Sequence, residues 1–132
     1  MLAIKATEEA LVAYNSMKLG KKTAYIIFNV KGSDIEAEET VLKADAGDDY
    51  LDTFIEHVKK SGEPRFAVVD WNNKLCFISW VPDTAKRAKK MVFATCKEGF
   101  IQELVGVNIK IQATDDAELS KDIIVEKTKS NV

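Results

Sequence analysis

Three kinds of side chain in this sequence could define a site: a run of cations, a lone imidazole and two thiols. The cations are the most distinctive. In "WVPDTAKRAKKMVFATCKEGF", residues 80–100, Lys86, Arg87, Lys89 and Lys90 precede a mostly apolar segment. That segment reads as a helix start, where the backbone dipole disfavours positive charge, so the cluster needs a reason outside the helix. The whole chain carries a net charge of −2 and has no global basic field to hold nucleic acid. Any contact with an anion or a polymer has to come from a local patch.

The other candidates read more plainly. His57 is the single histidine, on the outer part of a predicted helix, where a solvated side chain is expected rather than a general base. One histidine and two separated cysteines make no zinc spacing. Cys96 has no nearby base to activate it, and both Cys76 and Cys96 sit in apolar surroundings, as expected of reduced core thiols in a cytosolic protein. "KLGKK" (Lys18–Lys22) lacks the phosphate-loop pattern and reads as a helix stop followed by solvated lysines. The acidic clusters "EAEET" and "DAGDD" lack calcium-loop spacing. No metal or cofactor is expected, and no catalytic constellation.

The 132 residues, 46% hydrophobic and 30% charged, suit one soluble domain spanning 1–132. The start, "MLAIKATEEA", has neither the basic nor the apolar region of a signal peptide, and no run approaches the roughly 18 apolar residues that span a bilayer. Thr7 with Glu8 and Glu9 predicts a helix from about Thr7 to Leu19, stopped by Gly20. "TAYIIFNV" (Thr23–Val30) predicts a central strand apolar on both faces, and "IEAEETVL" (Ile35–Leu42) a more exposed hairpin partner. "ADAGDD" (Ala44–Asp49) reads as a loop, and Tyr50, Leu51, Phe54, Ile55 and Val58 as a helix. "RFAVVDW" and "KLCFISW" predict two strands joined by Asn72–Asn73, a tight hairpin. A long helix is predicted from Pro82 and Asp83 to about Val105. Then come a half-exposed strand, Val107–Ala113, and a short last helix preceded by the acidic start "TDDAE". The order α-β-β-α-β-β-α-β-α implies an α/β (α+β) fold, a central mixed five-stranded sheet with helices on both faces.

At about 100° per residue, Phe93, Cys96, Phe100 and Leu104 share one stripe of the long helix, which belongs to the core. The opposite side carries Arg87, Lys90, Met91, Ala94, Lys97, Ile101 and Val105. Apolar anchors rimmed by charge are the pattern of a protein-binding face, although long Lys and Arg stems can also simply cover surface apolar groups.

Three stretches are familiar. "FISWVPDTAKRAKKMVFATCKEGF" resembles W-x-P-[DE]-x-A followed by basic residues, Met, an aromatic and Ala-[ST]-[SC]-K-[DE], the signature of the actin-depolymerising factor/cofilin family. "AYNSMKLGKKTAYIIF" (Ala13–Phe28) is close to the family's F-N-x-L-K-L-G-K-K and aromatic strand. "VGVNIKIQATDDAELSKD" (Val105–Asp122) is similar to the actophorin type from amoebae. The resemblance implies a non-enzymatic, cytoplasmic, monomeric protein of the actin cytoskeleton, extending to the nucleus. It would bind actin monomers and filaments, prefer ADP-actin, promote severing and speed subunit loss.

By that resemblance the monomer-binding residues are the tail Leu2, Ala3 and Ile4 together with Arg87, Lys89, Lys90, Met91, Ala94, Lys97, Glu98 and Ile101. The filament-binding residues are Lys74, Glu126, Lys127 and Lys129. The cations then serve to meet a carboxylate-rich surface, setting on-rate and register, while Met91 and Ile101 supply burial. Several departures carry expectations of their own. Ala88 replaces a basic family position, with Arg87 and Lys89 on either side. Ile101 and Gln102 replace consecutive basic residues, which leaves at most weak phosphoinositide binding. Leu2 and Ala3 stand where the family has a regulatory serine, so inactivation by phosphorylation of the tail is not expected. "DWNNKLCF" replaces a long basic hairpin loop that touches a second actin, which implies weakened severing and side binding. The alternative within the same fold is a coactosin-like or glia-maturation-factor-like relative that binds filaments or branches without depolymerising.

Overall fold

The computed structural model describes residues 3–129. Its frame is a six-stranded sheet in the order β1-β3-β2-β4-β5-β6: β1 (Lys5–Ala6), β2 (Thr23–Lys31), β3 (Asp34–Leu42), β4 (Arg65–Trp71), β5 (Lys74–Trp80) and β6 (Ile109–Ala113). The two end pairs, β1 with β3 and β5 with β6, are parallel, and every inner pair is antiparallel. The helices are α1 (Glu8–Gly20), α2 (Lys43–Ala46), α3 (Leu51–Lys59), α4 (Arg87–Glu103) and α5 (Lys121–Thr128).

The mixed sheet with helices on both faces is as expected, but it has six strands rather than five. The extra strand, β1, is two residues long, too short to show any alternation in sequence. It is held by backbone bonds, Lys5 N–H to Ser33 O and Thr7 N–H to Ile35 O, both at 3.0 Å.

Alternation along the central strands divides the core into two layers. Ile26, Phe28, Phe66, Val68, Leu75 and Phe77 face α1 and α4 and pack on Tyr14, Met17, Phe93 and Phe100. Tyr25, Ile27, Ala67, Val69, Cys76 and Ile78 face α3 and α5 and pack on Leu51, Phe54, Val58 and Ile124. Phe100 meets Phe28 edge-on at 5.0 Å between centroids. Burying a side chain of this size contributes roughly 1.5–3 kcal/mol.

Several boundaries differ from the sequence expectation for physical reasons. Thr7 caps α1 as expected, its Oγ1 accepting from Ala10 N–H at 3.1 Å. The left-handed residue that ends the helix, however, is Lys21 (φ 57°), while Gly20 stays helical. The stretch read as a loop from Ala44 begins with a helical turn, α2. The "TDDAE" start forms a single 3-10 turn at Asp116–Glu118, and Ser120 caps α5 instead. The long helix begins at Arg87, not at Pro82–Asp83. Asp83 N–H is taken by Thr114 O at 3.0 Å and Ala85 N–H closes a turn onto Pro82 O. At the far end α4 stops at Glu103, and Gly106 (φ 100°) turns the chain towards β6 beside Lys18, whose Cδ would lie 3.0 Å from any added Cβ.

Candidate functional site: the outer face of α4 and the hairpin pole

Helix α4 turns Phe93, Cys96 and Phe100 inward, which leaves Met91 61% exposed and Ala94 exposed, with Ile101 half-buried between the core and that face. No side chain caps its N-terminus at Lys86, and its first turn holds no acid. The cations are set by neighbouring segments. Lys90 Nζ donates to Asp83 O at 2.7 Å, Lys89 pairs with Glu63 at 3.4 Å, and Lys97 Nζ reaches Gln112 Oε1 on β6 at 2.5 Å with Glu98 at 4.0 Å. Arg87 is exposed and makes no ion pair among the described residues.

Of the predicted monomer-binding residues on α4, Arg87, Lys90, Met91, Ala94, Lys97, Glu98 and Ile101 share one face. Lys89, by contrast, falls at about 200° from Arg87, on the inward stripe with Phe93 and Cys96, and lines a cleft there with Asn29, Val30 and Pro64. Lys97 leans back onto the sheet edge through Gln112, a partner that no local pattern in the sequence announced. Of the tail, Ala3 is exposed, Ile4 is half-buried against the same core layer as Ile101, and Leu2 lies outside the described residues. The tail is drawn to the end of α4 by Ala6 N–H, which donates to Glu103 Oε1 at 3.2 Å. The turn before α5 also borders this face. There Glu118 accepts from Thr114 N–H and Oγ1 at 2.8 Å each, bonds that hold its carboxyl below the usual range.

The second group of predicted residues gathers at the Lys74 end of β5, about 20 Å along the strand, at ~3.3 Å per residue, from the Trp80 end that leads into the start of α4. Asn72 and Asn73 both take positive φ, 53° and 61°, the backbone of a two-residue hairpin turn that asparagine tolerates. The tip is tied on both sides. Asn72 Nδ2 donates to Thr128 O at 2.7 Å, and Lys21 Nζ donates to Asn73 Oδ1 at 2.9 Å. Lys74 Nζ donates to Lys129 O at 2.9 Å, while Lys129 Nζ pairs with Glu126 at 2.9 Å and Lys127 is exposed. Behind the tip, Tyr50 Oη donates to Asp70 O and Lys43 pairs with Asp70 at 3.0 Å. Lys74, Glu126, Lys127 and Lys129 are therefore brought together, with Lys74 committed to an internal bond.

His57 is not the solvated residue expected from its helical position. Its Nδ1 lies 2.5 Å from Tyr25 Oη and 3.7 Å from Glu39. Burial, and then the Glu39 charge, push the Tyr25 phenol up to about 12. The strand–helix contact that builds this trio spans distant segments, so periodicity within one helix could not reveal it. Both thiols are free and buried. Burial raises the pKa of each, that of Cys76 to about 12, which makes them inert packing groups. Among the described residues no group of three His, Cys, Asp or Glu could hold a metal ion, and no helix is long and apolar enough to cross a membrane.

This arrangement, an apolar and cationic helix face and a tied hairpin pole on one sheet, has known counterparts. Residues 3–129 match the family model described as cofilin/tropomyosin-type actin-binding protein. The chain is 37% identical to a cofilin of Cryptococcus neoformans over 134 aligned residues, covering 94% of each chain. It is 29% identical to actophorin of Acanthamoeba castellanii, over 100% of this chain and 99% of actophorin. A crystal structure of Streptomyces griseoflavus cofilin superposes with a TM-score of 0.83 at 33% identity, covering 94% of this chain and 98% of that one. With the family model spanning nearly the whole chain, and relatives above 30% identity agreeing in sequence and in fold, this protein belongs to the actin-depolymerising factor/cofilin family.

Proposed function

We propose that this chain binds actin monomers, preferring the ADP form, and promotes filament depolymerisation without being an enzyme. It acts as a monomer in the cytoplasm, with the actin cytoskeleton, and has at most weak affinity for phosphoinositides. The observation that carries this reading is the outer face of α4. An exposed Met91 stands between Arg87 and Lys90 on one side and Lys97 and Ile101 on the other, over a helix whose opposite stripe is fully buried. A flexible apolar plug in a ring of cations suits an imperfect, carboxylate-lined cleft. Ala3, Ile4, Ala94 and Glu98 border the same contact, and Lys74, Glu126, Lys127 and Lys129 form the filament contact. Severing and filament-side binding are weakened, because a two-residue turn stands in place of a long basic loop.

The test is actin sedimentation across a range of concentrations of this protein, reading both fractions. Actin that moves to the supernatant while little of this protein pellets supports the reading. Stoichiometric co-pelleting defeats the part about the short hairpin. Indifference of actin to this protein defeats the whole.

A further inference from the structure

Among the described residues five large apolar side chains are strongly exposed: Val12, Leu19, Leu42, Met91 and Val105. Met91 and Val105 lie on or just beyond α4. The other three meet elsewhere. Val12 and Leu19 of α1 and Leu42 at the end of β3 line one shallow groove of about 600 Å³, with Lys22 at its rim. A single exposed leucine is ordinary. Three apolar side chains converging on one groove, with Leu19 79% exposed, mark a contact surface.

The groove opens at the hairpin pole. Lys21, which ends α1, holds the tip through Asn73, and Lys43 directly follows Leu42. Lys22 is exposed, and its side chain has no hydrogen bond or ion pair among the described residues, while its carbonyl accepts from Lys43 N–H at 2.8 Å. Leu19, Lys22 and Leu42 therefore continue the surface made by Asn72–Lys74 and the end of α5. In a chain of net charge −2, this pole collects Lys21, Lys22, Lys43, Lys74, Lys127 and Lys129. Of the nearby acids, Asp70 and Glu126 are paired with Lys43 and Lys129, and Asp48 lies on the α5 side of the tip, in a pocket with Asn72 and Lys129 rather than in the groove of Leu19 and Lys22.

We propose that the groove of Val12, Leu19 and Leu42, with Lys21 and Lys22, is a further part of the filament contact and receives an apolar, carboxylate-rimmed surface of a neighbouring actin subunit. This rests on the actin-binding reading above and extends it to side chains that serve the filament and not the monomer. The tip cannot reach outward, because both its asparagines are bonded inward. The end of α1 beside it keeps apolar surface and a free cation available. A second copy of this chain is a poorer occupant, since an isologous contact here sets the same lysine rim against itself.

The experiment uses the full chain with purified actin. Monomer affinity is read by fluorescence on ADP-actin and filament affinity by co-sedimentation, for wild type, for Leu19→Ser/Lys22→Glu, and for Lys60→Glu as an equally exposed charge change at the end of α3. The double variant is expected to lose about tenfold in filament affinity with monomer affinity and thermal melting unchanged, while Lys60→Glu matches wild type. Equal filament affinity in the double variant and wild type overturns the proposal, and so does an equal loss in Lys60→Glu, which would reduce it to net charge. A wild type that binds monomers but not filaments overturns this inference alone. A wild type that binds neither overturns the parent reading with it.

Discussion

The outer face of α4 and the hairpin pole both carry lysines, yet they hold them differently. On α4, Lys90 rests on one exposed acceptor, Asp83 O, and Arg87 makes no ion pair among the described residues, on either side of an open Met91. Such surface contacts are worth about 1 kcal/mol or less in water, so a partner's carboxylates can replace them. At the pole the bonds fix the loop itself. Asn72 reaches the end of α5, Lys74 reaches the same segment, and Tyr50 holds Asp70 O from the buried side. Leaving a buried carbonyl without its donor costs roughly 1–3 kcal/mol. A lysine count along the chain therefore overstates what the pole offers a partner and describes α4 fairly.

The largest effect separating the two regions is expected at Met91. Met91→Glu removes the apolar centre and adds an acid among carboxylates, so ADP-actin monomer affinity falls about 100-fold. The melting temperature stays put, because the side chain is mostly in water. A variant that binds normally would move the centre of the contact off α4. Next is a graft of a long basic loop between Trp71 and Lys74, which should raise filament affinity about tenfold in co-sedimentation and leave monomer binding alone. An unchanged filament affinity would mean the short turn is not what limits the pole.

Smaller still is Asn72→Ala. It loses the donor to Thr128 O and a residue suited to positive φ, and together these lower stability by ~1–2 kcal/mol in urea unfolding. Met91→Ala, by comparison, should cost almost nothing. The smallest effect at neutral pH is electrostatic. Burial pushes Tyr14 and Tyr50 up to about 12 from an ordinary value of 10. For an acid whose folded pKa is raised, the unfolded state loses its proton first as pH rises. The stability present below pH 10 is then lost progressively towards pH 12. Tyr14 supports the end of α4 through Val105 O, which also takes Lys18 Nζ. Tyr50→Phe should therefore destabilise more than Tyr14→Phe, as urea unfolding at pH 8 would register.

Much of this was legible from local pattern. The buried stripe Phe93–Cys96–Phe100–Leu104, the apolar anchors opposite, the Asn-Asn turn and the two-faced β4–β5 pair all follow from periods of 3.6 and 2 and from turn chemistry. Local boundaries were misread by a residue or a turn, as at Lys21, α2 and Ser120, but the larger misreadings share one feature: the partner lies far along the chain. Lys97 is turned aside by Gln112, His57 is taken up by Tyr25 and Glu39, and β1 exists only because Ser33 and Ile35 offer carbonyls to it. The start of α4 was misplaced for the same reason, since Thr114 O claims Asp83 N–H before a helix can.

By itself, then, the sequence determined most of the elements, their buried faces and the family, because side-chain periodicity and the family motifs are local properties. The tertiary structure decided which cations remain available to a partner and which are tied inward, and that Val12, Leu19 and Leu42, 30 residues apart at their extremes, meet in one groove. The physical reason is that a hydrogen bond or an apolar contact is settled by distance in space, and folding brings together donors and acceptors that no repeat along the chain connects.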